Sequence, residues 1–387
     1  MNKIFKILFN KRTNSFVVAS ELANSNGKAS STTDERKSTS YTLSSSSSPP
    51  PSHLLAPSKF ATLLVFSSAM LASQAFAGHT QIGTHSTGGD TTVSGNNAVA
   101  IGEGATATGT DNAIAIGAKF HGSSSKPTEG AQALGDNSIA IGQASKASTS
   151  QSIAIGQYAE IADTATQSIT IGANTKVSGA SSIAIGGDDA KGTDYHTWQY
   201  DDSVGRAVDK KSAKFDATSA EGSVALAIGI KTQAKADGSI ALGVVSTAGG
   251  KESISIGAKS ATKGTNAIAL GTAASGIANN AIALGTNAVA NLEGSVVLGA
   301  NSTTEGSATQ IKTTDKAEVG GYVYDGFAGT IDSDGDLVSI GNNTAGGQRK
   351  IINVAAGEIT KQSTEAINGS QLYAVIDKIN KANNGEA

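Results

Sequence analysis

The residues best suited to acid–base or metal chemistry are the five histidines, His53, His79, His85, His121 and His196, and an acidic stretch, Asp332-Ser333-Asp334-Gly335-Asp336. A nucleophile–base device would need serine, histidine and a carboxylate held together. His79, His85, His121 and His196 instead fall in an N-terminal arm or in stretches that break a repeat, His53 belongs to a leader expected to be removed, and the abundant serines recur at turn and strand positions. An EF-hand calcium loop places glycine sixth and glutamate twelfth. Counted from Asp332, glycine is fourth and Asn343 twelfth, so a turn between strands is expected. Paired carboxylates for cutting glycosidic bonds, the chemistry of some parallel β-helices, would have to recur on matching strands, and the repeat strands carry almost no acid. There is no Walker or dinucleotide motif. With no cysteine, disulfides and thiolate metal sites are excluded. A net charge of −3 provides no footprint for nucleic acid. We therefore expect no catalytic residue, no metal and no cofactor: this is not an enzyme. The remaining candidate for chemistry is recognition, by the cluster Tyr195, Trp198 and Tyr200, which holds the sole tryptophan. It reads either as a ligand contact, since aromatics anchor interfaces, or as a local mini-core packed on its surroundings.

What positions these residues is a repeat. Between Gly222 and Gly299 the segments GSVALAIG, GSIALG, ESISIG, NAIALG, NAIALG and GSVVLG close at Gly229, Gly243, Gly257, Gly271, Gly285 and Gly299, steps of 14 residues. A sustained period marks a stacked architecture. The unit recurs with a looser beat at Gly102, Gly117, Gly142, Gly156, Gly172 and Gly186, and once more at Gly341. Alternation of branched and small residues argues for strands, and the glycines together with the lack of a 3.6-residue apolar stripe argue against helix. Two short strands and two turns per unit describe one coil of an all-β parallel roll, rising about 4.8 Å per coil. The expected core is Ile139, Ile141, Ile153, Ile155, Ile183, Ile185, Ile240, Leu242, Ile268, Leu270, Ile282 and Leu284, filling the stack. The alanine and serine face would lie against neighbouring chains. A roll this thin has a small interior for its surface, so oligomerisation is expected from burial alone.

In order, residues 1–77 read as a leader. A basic, aromatic-rich start precedes a serine- and proline-rich linker, and Lys59 precedes an apolar run, Phe60 to Leu71. Ala75-Phe76-Ala77 completes a cleavable secretory signal with the cut between Ala77 and Gly78; a membrane-spanning helix is the competing reading, and the run is short for one. Roll repeats occupy 78–186, an insertion loop 187–221, further repeats 222–299, and a last, irregular roll segment 300–340. Residues 341–372 change character. In 373–387, after Leu372, Ile376 and Ile379 follow at spacings of 4 and 3, the opening of a coiled coil or a short helix packed on the roll.

The Ser-Ile-Ala-Ile-Gly repeats, the stretch Arg349…Asn353-Val354-Ala355…Gly357 and the stretch Ala366-Ile367-Asn368-Gly369-Ser370-Gln371-Leu372 together resemble trimeric autotransporter adhesins of the YadA type. Phe327-Ala328-Gly329 and Asp336 to Gly341 resemble that family's last head segment, and Met1 to Lys11 with Phe16 to Glu21 resemble the extended signal region of large Gram-negative autotransporters. The resemblance implies a left-handed β-roll head forming a homotrimer, and a neck, including Arg349, Asn353, Val354, Gly357, Asn368, Gln371 and Leu372, that narrows the head onto a coiled-coil stalk. It also implies a cell-surface adhesin that attaches to host cells or matrix proteins such as collagen, fibronectin or laminin, contributes to virulence and self-associates; a spacer head without ligand is the alternative. The family's outer-membrane anchor has no counterpart in this sequence. The chain therefore reads as a fragment of an anchored protein or as a truncated product, secreted if it ends at Ala387.

Overall fold

The computed structural model describes residues 5–10, 15–20, 80–82, 91–119, 129–210, 215–305, 316–329, 331, 333 and 335–385. The chain divides into two units, Met1–Lys59 and Phe60–Ala387. In the first, Phe5–Asn10 pairs antiparallel with Ser15–Ser20, Phe5 opposite Ser20. The cleavage residues Ala77 and Gly78 lie outside the described residues.

The second unit is a parallel β-solenoid. Three-residue strands such as Ile254–Ile256, Ile268–Leu270 and Ile282–Leu284 stack into a sheet of 14 strands among the described residues, and two-residue strands such as Thr247–Ala248, Ala261–Thr262 and Ser275–Gly276 stack into a second sheet of 12. Neighbours in the stack are one coil apart in sequence: Ile240 pairs with Ile254, Ile254 with Ile268, Ile268 with Ile282 and Ile282 with Val296. Identical positions therefore sit above one another, and each coil's backbone hydrogen bonds are met by the coils on either side.

The coil interior is the reverse of the expected one. In each long strand the central small residue points inward and is fully buried, as in Ala140, Ala154, Ala184, Ala241, Ala269 and Ala283. The flanking Ile139, Ile141, Ile153, Ile155, Ile183, Ile185, Ile240, Ile268, Ile282 and Leu284 are only half-buried, and Leu242 and Leu270 are exposed. The two walls lie too close to take isoleucine or leucine in most coils: the hydroxyls of Thr170 and Thr175, on facing walls, touch at 2.6 Å. A lumen this narrow takes alanine, serine and threonine, with a larger side chain only at places such as Ile161, Val177 and Val297.

The same closeness explains the glycines. Gly257 has φ +130°, and a Cβ there would stand 2.5 Å from the carbonyl oxygen of Gly271 in the next coil. Gly264 has no left-handed backbone, yet a Cβ would run into the carbonyl of Ala278; glycine serves backbone contact there rather than turn geometry. The left-handed corners are carried instead by residues such as Glu252, Asn266 and Asn280, and on the opposite side Lys259, Ala273 and Asn287. Asparagine tolerates that conformation and adds an external ladder: Asn266 Nδ2 donates to Asn280 Oδ1 at 3.3 Å and Asn287 Nδ2 to Asn301 Oδ1 at 3.0 Å.

Both long breaks in the beat occupy a single step of the stack. Ile183 pairs directly with Leu226, and Val296 directly with Val338, so spacings close to three periods are no sign of displaced coils. The first break ends before Ser219–Ala220, which already belongs to the short-strand sheet, earlier than the expected boundary at 221. Each break carries an antiparallel hairpin, Trp198–Asp201 with Arg206–Asp209 and Lys316–Val319 with Tyr322–Asp325. The chain ends in helix α1, Gly369–Asn383, which starts inside the segment assigned to the neck.

Candidate functional site

Three features of the solenoid unit could act on something outside the chain. The first is the outward face of the long-strand sheet. Its Ile and Leu side chains form an apolar ladder running the length of the stack, with Leu270 46% exposed and Leu242 41%. A continuous apolar strip of this kind on one chain marks an association surface.

The second is the insertion hairpin, which contains the three aromatic candidates. They are half-buried rather than fully presented to solvent. The Lys259 ammonium lies 3.5 Å from the centre of the Trp198 ring and 5.3 Å from that of Tyr195, and Lys235 lies 5.0 Å from that of Tyr200, cation–π geometry that uses the ring faces. Burial, then the charges of Asp202 and Asp201, push the Tyr200 hydroxyl up to about 12. Asp201 is held well below the ordinary carboxylate range, chiefly by the hydrogen bond from Lys210 and then by Ser203. The mini-core reading fits this seating, and nothing in the aromatic spacing alone distinguished it from a ligand contact.

The third is the neck. Arg349 reaches back onto the last coils: Nη1 donates to Ser302 Oγ at 2.7 Å and to the Ile340 carbonyl at 2.6 Å, and Nη2 to the Ala300 carbonyl. Asn368 caps α1, its side-chain oxygen accepting from the backbone of Ser370 and Gln371, while Nδ2 donates to the Val354 carbonyl at 3.0 Å. Gln371 completes the capping box and grips Gly357, with Oε1 accepting from Gly357 N at 3.0 Å and Nε2 donating to its carbonyl at 2.5 Å. The structure thus brings Val354, Gly357, Asn368 and Gln371 together, 14 residues apart in both pairs. Asn353 adopts φ +62° beside them, Arg349 belongs to the coil end, and Leu372 is exposed. No residue of α1 is buried; Leu372, Tyr373, Val375, Ile376 and Ile379 all face solvent in the single chain. An isolated helix of 15 residues is marginal in water, so these side chains need partners.

For catalysis the described residues offer little. His196 Nδ1 lies 3.0 Å from Asp189 Oδ1, and both belong to the insertion. No group of three or more His, Cys, Asp or Glu able to hold a metal occurs among the described residues. His53, His79, His85, His121, Asp332 and Asp334 lie outside them. Asp336 Oδ2 accepts from the Ser333 amide at 3.2 Å, a turn contact.

Leader, coiled head and helical start, in that order, define an exported, surface-located β-solenoid protein. Family models match along the same order: the extended signal peptide of the type V secretion system over residues 1–49, the YadA head domain repeat over 94–119, 133–159, 164–188, 220–244, 248–274 and 277–302, and the coiled stalk of trimeric autotransporter adhesins over 350–387. The chain belongs to the YadA-type trimeric autotransporter adhesins. A curated relative, autotransporter adhesin BtaE of Brucella suis biovar 1 (strain 1330), is 46% identical over 71 residues, 18% of this chain and 9% of its own length; the chain thus spans a small part of that protein. Among solved structures, the collagen-binding domain of the Yersinia adhesin YadA is 21% identical, covering 68% of this chain and 97% of that one with a TM-score of 0.33. The C-terminal YadA-like domain of BPSL2063 from Burkholderia pseudomallei is 34% identical, covering 32% and 49%, with a TM-score of 0.23.

Proposed function

We propose that the mature chain is the head and neck of a homotrimeric surface adhesin that attaches the cell to host cells or extracellular matrix. The observation carrying this reading is the outward Ile and Leu ladder. With the lumen filled by alanine and serine, the large apolar side chains are covered only in part within the chain. Three copies closing around their ladders would bury them, and the exposed apolar side of α1 would join the same axis as a coiled coil. Three identical rods on many molecules turn weak contacts into firm attachment, since linkage can raise avidity ~10²–10⁴-fold. The short-strand sheet, on the other wall of each coil, would then face outward as the surface available to a ligand. The family's adhesins and the collagen-binding relative support a matrix protein as that ligand.

The test is sedimentation of residues 78–387 followed by retention on immobilised collagen, fibronectin and laminin. Trimers that are retained on one of these support the reading, and a well-folded single chain overturns it. The seating of Tyr195, Trp198 and Tyr200 on the solenoid favours a second reading, a spacer head that projects other modules; trimers with no retention would select it.

A further inference from the structure

The insertion hairpin does not project from the rod but lies back along it, against four successive coils. Lys231, 2% exposed, donates from Nζ to the carbonyls of His196 at 3.0 Å and Trp198 at 2.8 Å. Lys235 approaches Asp202 at 3.6 Å, Lys263 Nζ donates to the Asp202 carbonyl at 3.1 Å, and Ser275 Oγ to the Gly205 carbonyl at 2.9 Å. The second strand of the hairpin rests on Ala261–Thr262. The coil surface is shaped to receive it. The outward position of the short strand is Lys146, Glu160 and Lys176 in earlier coils, and becomes Thr247, Ala261 and Ser275 beneath the hairpin, all buried.

The stretch it covers is also where the apolar core is interrupted. One buried apolar cluster runs from Ala98 to Ala248 and the next begins at Ala281. Between them the coil of Ser253 to Thr262 is lined with hydroxyls, with alanine returning at Ala267, Ala269 and Ala274: Ser246, Ser255 and Ser260 form a closed ring of contacts at 2.8–3.1 Å, and Thr262 Oγ1 donates to Ser253 Oγ at 2.7 Å. Such a ring satisfies its own hydrogen bonds but supplies no gain from burying apolar surface. In a solenoid, where each coil holds only its neighbours, a weak section is not rescued by the rest of the stack.

We infer that residues 188–210 are a brace, a strap that joins from outside the coils whose interior is least able to hold them together. Its ends permit a clean test, because Thr218 N and Oγ1 both donate to the Gly187 carbonyl, at 3.3 and 2.6 Å, so a short turn can replace the strap. In the purified protein, that deletion should speed amide hydrogen exchange about tenfold or more across Ser246–Gly276, with Ile139–Ile171 unchanged. In a Ser246→Ala, Ser255→Ala, Ser260→Ala background the same deletion should lose its effect. Unchanged exchange, acceleration spread equally along the rod, or an undiminished effect in the alanine background would overturn the brace. Should the deletion fail to fold, Trp198→Ala and Lys231→Asn take its place, asparagine being the residue that holds the same left-handed corner at Asn287 and Asn301; both must give the same local acceleration for the inference to stand.

Discussion

The coils of residues 222–299 and the segment 341–385 solve the burial problem in opposite ways. Each coil satisfies its backbone through its neighbours and closes a narrow lumen of alanine, serine and threonine, leaving only one outer face unfinished. The later segment has well-made polar joints, Arg349 on the coil end and Gln371 on Gly357, but almost no buried side chain. The difference teaches where assembly matters. The head has local structure to bring to an encounter between chains, whereas the neck and helix acquire a core only through it.

The largest expected effect comes from breaking the shared surface. Ile268→Asp places a charge on the ladder in every copy, and burying unpaired charges is prohibitive. Sedimentation should show the assembly lost; an intact trimer would remove the ladder from the interface. The coil itself should keep its strand circular dichroism, because Ile268 lies outside the lumen. Ala269→Leu tests the opposite face of the same strand. Overpacking a rigid interior costs about 1–3 kcal/mol and more where walls cannot move, so a clear drop in melting temperature is expected, and an unchanged one would contradict the alanine lumen. Dilution of the trimer below its association range should melt the helical signal first, sharpening the contrast between rod and helix; helix persisting in single chains would erase it. Gln371→Ala removes the joint between Gly357 and α1 and should cost about 1–2 kcal/mol of helix stability, read as fewer helical residues at the N-terminal end of α1.

The smallest effect concerns the strap. Tyr200 has its folded pKa raised from 10.0 to about 12. A raised pKa means stability that is complete below pH 10 and declines as pH climbs toward 12, because the unfolded form ionises first. Trp198 is the sole tryptophan, so its fluorescence should shift over that window before the strand signal changes. Trp198 fluorescence that is flat from pH 10 to 12 would mean that Tyr200 is not seated as described.

The period and the parallel stacking were legible in residue spacing, whereas the neck came only from the family resemblance and a glycine such as Gly264 reads as a turn but serves a backbone contact. Alternation along a strand also announced two unlike faces at each of Ile139-Ala140-Ile141 and Ile268-Ala269-Leu270. It could not say which face turns inward, because a period of two is symmetrical under that exchange. The distance between the walls settles it, and that distance arises only when both strands of a coil and the coils above and below are in place. The same holds for the interruptions. Their lengths mimic whole coils in sequence, while the register of Ile183 with Leu226 and Val296 with Val338 shows each to be one long loop. The seat of the strap belongs to the same class, since Lys231, Lys259 and Ser275 meet residues 33 to 70 positions away that no local pattern links to them. What the sequence determined by itself was the repeat and its punctuation, which are local matters of backbone and side-chain type; what the tertiary structure decided was inside against outside, a matter of how much room the stacked backbones leave.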